Sequence, residues 1–74
     1  MKIFIYINND TLSYTTDEKK IICADTIYLI KNNEDIGEFL LDEFEKDRFN
    51  IDILIEIANK VKDELKNLNK ENEM

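Results

Sequence analysis

The stretch RFNIDILIEIANK, Arg48 to Lys60, fits two periods at once, and the choice between them fixes the fold. Phe49, Ile51, Ile53, Ile55 and Ile57 alternate with Asn50, Asp52, Leu54 and Glu56, which is the period of a β-strand. Ile51, Leu54 and Ala58 also open a three-four spacing that continues through Val61, Leu65 and Leu68, which is the period of a helix. The alternation stops after nine residues; the helical spacing covers 18 with no breaker inside it. Asn50 is a good N-cap, Asp52 suits the positive end of a helix dipole, and Lys60, Lys62, Lys66 and Lys70 gather toward the negative end. Alternation also arises easily by chance in a chain with 12 isoleucines. The spacing therefore predicts one long helix over residues 51–68, with residues 69–74 as a frayed tail. Its first half is apolar nearly all round, because Ile53, Ile55 and Ile57 lie off the seam, so it calls for cover on more than one side.

Upstream, the pattern is that of strands. Ile3, Ile5 and Ile7 alternate with Phe4 and Tyr6, so both faces of a strand over residues 2–8 are apolar and it belongs at the centre of a sheet. Asn8-Asn9-Asp10 is turn chemistry, and residues 11–16 show the half-solvated alternation of an outer strand. Residues 20–30, rich in β-branched side chains, make a third strand that Ala24-Asp25 could bend. Asp35 and Glu38 resemble a capping box before Phe39, Leu40, Leu41 and Phe44, which places a first helix over residues 36–47. Gly37, the only glycine, would sit in its first turn and hints at the close approach of another backbone. The expected architecture is α+β, a three-stranded antiparallel β-meander followed by two α-helices (βββαα), in one domain spanning residues 1–74.

A core of this size supplies only about 3–5 kcal/mol without a staple. Cys23 is the only cysteine, so no disulfide within the chain is available, and its neighbours Ile21, Ile22 and Ala24 predict a buried filler. Histidine is absent, which leaves no zinc cage and no cofactor motif. Oligomerisation is the remaining staple. The apolar run at the N-terminus is too short for a secretion signal and no segment is long enough for a membrane span, so a cytoplasmic location with no membrane partner is expected. Twelve isoleucines against one valine, and nine lysines against one arginine, point to AT-rich coding DNA of a low-GC bacterium or its phage.

The charge is concentrated. Of the formal net charge of −7, residues 34–47 carry seven acidic side chains against Lys46 alone. On a helix Glu34, Glu38, Asp42 and Glu45 form one stripe, with Glu43 beside them, while Ile36, Leu40 and Phe44 form another with Phe39 adjacent. Like charges four residues apart each cost a helix about 0.2–0.5 kcal/mol, a cost that a purely soluble face avoids by interspersing lysine.

Catalysis is not expected. A serine or cysteine nucleophile lacks a histidine base, and a calcium loop over residues 32–43 fails at Ile36, where an oxygen ligand is needed. Phosphate-binding loops need several glycines, and an acidic surface disfavours direct contact with nucleic acid. Two readings remain. In the first, Glu34, Glu38, Asp42, Glu43 and Glu45 form a face that occupies the basic nucleic-acid-binding groove of a host enzyme, as a phage inhibitor would. The chain resembles anti-CRISPR proteins in size, charge and lack of catalytic groups, though no motif carries that likeness. In the second, a homodimeric or antitoxin-like module assembles through a seam of Leu54, Val61, Leu65 and Leu68, and the acidity serves solubility.

Overall fold

A computed structural model of the chain describes residues 2–72, with side chains described as far as residue 67. Three strands, β1 (Ile3–Asn8), β2 (Thr11–Thr15) and β3 (Thr26–Ile30), are followed by two helices, α1 (Asn33–Lys46) and α2 (Ile51–Asn72). The βββαα order is the one the patterns predict. Arg48–Lys60 resolves as helix: α2 starts at Ile51, and the Asn50 side chain accepts from the Asp52 N–H at 2.9 Å. Phe49 packs against the core from outside the helix. The helix continues to Asn72, so the expected fraying from residue 69 is corrected over 69–72; residues 73–74 lie outside the described residues.

The sheet order is β2-β1-β3 and all pairs are antiparallel. β1 is central, as its two apolar faces require, and this corrects the meander, in which β2 would lie in the middle. β1 and β2 form a tight hairpin closed by the pair Asn8–Thr11. Its two loop residues, Asn9 and Asp10, both have positive φ (52° and 61°), as a type I′ turn demands.

Because β3 also pairs with β1, it runs parallel to β2, and the chain must return across the sheet between them. Residues 16–25 make that crossover. They contain the short 3-10 turn Glu18–Ile21, capped by Asp17, whose carboxylate accepts from the Lys19 N–H. The single strand expected over residues 20–30 is thus corrected to a turn, a link and a five-residue strand. Cys23 lies in the link and is exposed, not buried. The crossover lies against β1, and at its end the Asp25 N–H donates to the Ile7 carbonyl at 2.8 Å. Phe4 is buried although it lies outside the helix-side core.

On the other face, Ile3, Ile5 and Ile30 meet Ile36 and Phe39 of α1 and Leu54, Ile57, Ala58, Val61 and Leu65 of α2. This corrects the oligomer seam: Leu54, Val61 and Leu65 are spent in the chain's own core. The Leu68 side chain lies outside the described residues. A 22-residue helix beside a short sheet can bury one stripe only, so Ile51, Ile53 and Ile55 stay 44–53% exposed rather than covered all round. No helix among the described residues is long and apolar enough to cross a membrane.

Candidate binding surface

α1 begins three residues earlier than its acidic pair suggests, because Asn32 is the better cap. The Asn32 side chain accepts from the Asp35 N–H at 3.0 Å, and the Asp35 carboxylate accepts from the Lys31 N–H at 2.8 Å. The capping interaction therefore runs from Asn32 to Asp35, and Glu38 is left free of it. At the other end Asp47 adopts a left-handed conformation (φ 52°) and its N–H bonds the Glu43 carbonyl at 3.0 Å, which stops the helix.

The buried face of α1 is Ile36, Phe39 and Glu43, with Leu40 at its margin. This turns the helix from the stripe expected of Ile36, Leu40 and Phe44: Phe44 is 44% exposed and Leu41 66%. Phe39 sets the rotation. It is fully buried and meets the Tyr28 ring edge-on, with centroids 4.9 Å apart at 74°.

That rotation separates the five carboxylates of the expected acidic face. Glu34, Glu38 and Glu45 are exposed, and among the described residues no ion pair or hydrogen bond holds them. Asp42 is half-buried, paired with Lys46 at 3.0 Å and within hydrogen-bonding distance of the Tyr28 hydroxyl at 2.5 Å. Glu43 is fully buried, which removes it from the face.

Glu43 has a different task. Arg48 grips it as a fork, with Nε 3.2 Å from Oε1 and Nη2 2.6 Å from Oε2, and the Tyr28 hydroxyl lies against Oε2. A planar guanidinium can satisfy both oxygens of a buried carboxylate; an ammonium cannot. The chain's sole arginine stands where that geometry is needed, and this was the one sequence signal for the pair. Tyr28 has a single proton to donate between Asp42 and Glu43, so it fastens β3 to the C-terminal half of α1. Lys46 Nζ sits 5.9 Å from the centre of its ring.

These contacts fix two protonation states. Burial, then the hydrogen bonds to Asp42 and Glu43, then the negative charge of those carboxylates, push the Tyr28 phenol well above its ordinary value. The Tyr28 hydroxyl first, and Lys46 second, hold the Asp42 carboxyl below its ordinary value. Tyr28 is thus held as a neutral donor. A phenol pKa raised by folding gives stability that is complete below the free tyrosine value of about 10 and declines as pH rises through and above it. Asp42 has the opposite sign: its contribution is present above the ordinary carboxylate value and is lost as pH falls through the lowered one. We expect urea midpoints to fall at both extremes, with Tyr28→Phe flattening the alkaline limb; an unchanged alkaline slope in that variant would rule out the phenol as its source.

Between the open edge of β3 and α1 lies a groove of about 440 Å³, lined by Ile27–Ile30, Asp35, Glu38, Phe39 and Asp42. Among the described residues no group of three metal-ligating side chains converges. Gly37 faces solvent, and among the described residues nothing outside its own helix backbone lies within 4 Å of where a Cβ would stand. The sequence pattern did not reveal the groove, because it depends on which strand forms the sheet's edge. No protein-family model matches the chain, and no curated protein or solved structure does either.

Proposed function

We propose that this chain is a non-catalytic binding protein that presents Glu34, Glu38 and Glu45, flanked by Asp42, to a basic protein surface. A phosphate-binding groove of a nucleic-acid-processing enzyme fits best, and a phage-encoded inhibitor of a host enzyme is the natural setting. The observation that carries this reading is a row of exposed carboxylates, unpaired among the described residues, on a helix that Tyr28 and Phe39 fasten to a sheet. Such a row keeps its backbone spacing without a backbone ordering cost on binding, and its field speeds encounter with a cationic groove. Gly37 adds support. It costs α1 up to about 1 kcal/mol relative to alanine, makes room for no contact among the described residues, and lies on the helix between Glu34 and Glu38, where a partner could approach closely.

The test is capture of the partner from host cells by tagged protein, wild type against the triple variant E34K/E38K/E45K. The three positions are exposed, so the variant should fold, and it should lose the partner that the wild type retains at low salt and releases as salt rises. Retention by the variant at physiological salt would end the proposal.

A second reading, a homodimeric or antitoxin-like module built on α2, would draw on the half-exposed Ile51, Ile53 and Ile55, since Leu54, Val61 and Leu65 of the expected seam are buried. Light scattering separates the two: a dimer that Ile55→Asp dissolves without unfolding would favour this one.

A further inference from the structure

The open edge of β3 carries a more specific recognition surface. The two-residue hairpin makes Asn8–Thr11 a hydrogen-bonded pair, so Phe4, Tyr6 and Asn8 turn their backbone groups to β2, and Ile3, Ile5 and Ile7 turn theirs to β3. In β3 it follows that Thr26, Tyr28 and Ile30 bond β1, while the N–H and C=O of Ile27 and Leu29 point outward. Beyond them the Lys31 N–H is taken by Asp35, which ends the row. The strand, TIYLI, has no proline, no charge and no covering element along this edge among the described residues. Native proteins usually block such an edge.

The surroundings of the edge differ on its two faces. On the helix side Asp35, Glu38 and Asp42 overhang the groove; on the opposite side Ile27 and Leu29 are 45% and 39% exposed. Resting on the binding reading above, we propose that β3 accepts a fourth strand from the basic partner, an extended segment alternating Lys or Arg with apolar residues. Its cations point toward Glu38 and Asp42, its apolar side chains extend the row of Ile27 and Leu29, and its backbone bonds Ile27 and Leu29. A second copy of this chain fits poorly, because two-fold pairing of β3 edges would set two α1 acidic flanks against each other. The opposite edge, β2, lacks the complementarity. The groove beside it is flanked by Glu56 paired with Lys60 at 3.4 Å, and its outward face carries Ser13 and Thr residues.

The probe is a short synthetic peptide alternating lysine and valine, compared with a peptide of the same composition in blocks and with one N-methylated at alternate amides. Bound to the full chain, the alternating peptide should slow solvent exchange at the Ile27 and Leu29 amides. Blocking or N-methylation should weaken it about tenfold, the effect of losing roughly two backbone hydrogen bonds. Leu29→Pro, which removes an outward N–H and leaves the β1 ladder intact, should have a similar effect. Equal affinity for the three peptides, or protection at Leu12 and Tyr14 on β2 instead, would overturn the strand proposal. Partner capture sensitive to E34K/E38K/E45K but not to Leu29→Pro would also overturn it, while leaving the acidic-face reading in place.

Discussion

Arg48→Ala should destabilise the protein by about 2–3 kcal/mol, a large part of what a core this small can supply. Glu43 is fully buried, and Arg48 gives it both of its charged hydrogen bonds. Removing one member of a buried pair commonly costs about 3–5 kcal/mol, because the remaining charge has neither water nor partner. The Arg48 side chain is 38% exposed, so water can reach part of the gap and the figure is reduced accordingly. At roughly 4–8 °C per kcal/mol for a domain of this size, thermal unfolding should move down by about 10–20 °C.

Glu43→Met separates burial of the charge from the pair itself. It removes the carboxylate at similar volume, lets Arg48 turn into solvent, and leaves Tyr28 bonded to Asp42. A loss of less than about 1.5 kcal/mol is expected, since replacing a buried ion's partner site with packed apolar volume is often near neutral. Arg48→Lys should fall between, having the charge without the fork. Melting curves for the three variants suffice, and an Arg48→Ala midpoint within a degree or two of wild type would sink the account.

That pair also marks where sequence reasoning reached its limit. Periodicity placed β1, β2 and the two helices and marked β1 as central, because burial demands of a strand and a helix differ at every second or third residue; it drew β3 too long. It did not give the rotation of α1. Ile36, Leu40 and Phe44 form as good a stripe in sequence as Ile36, Phe39 and Glu43, and only the T-shaped contact of Phe39 with Tyr28 decides between them. For that reason the spacing alone puts Glu43 on the binding face, whereas the structure buries it. The crossover over residues 16–25 was missed because β-branched side chains favour a strand only where a neighbour is there to pair. Residues 18–21 wind into a 3-10 turn instead, and only at Asp25, whose N–H donates to the Ile7 carbonyl at 2.8 Å, does the chain come beside β1. The exposed carboxylates Glu34, Glu38 and Glu45 were legible, since a helix surface needs only its own spacing to be read. The open edge of β3 was not, because it follows from the order of strands.

Leu54→Asp should leave no folded protein at all, and the comparison with its neighbour tells core from seam. Leu54 is fully buried in the core cluster that the sheet, α1 and α2 share. Truncating such a leucine costs about 2–5 kcal/mol, and an aspartate there adds either a buried charge or the work of protonating it. The sum exceeds the roughly 3–5 kcal/mol available, so far-UV circular dichroism at 25 °C should show a largely unfolded chain. Ile55→Asp, one position on, places the same side chain where the native one is 44% exposed, and should keep the helical spectrum. If Leu54 instead lined an interface between two copies, Leu54→Asp would yield a folded monomer, with native circular dichroism and half the mass by light scattering. The core assignment forbids that outcome, because Leu54 is fully buried within the chain's own core cluster and presents no surface to a second copy.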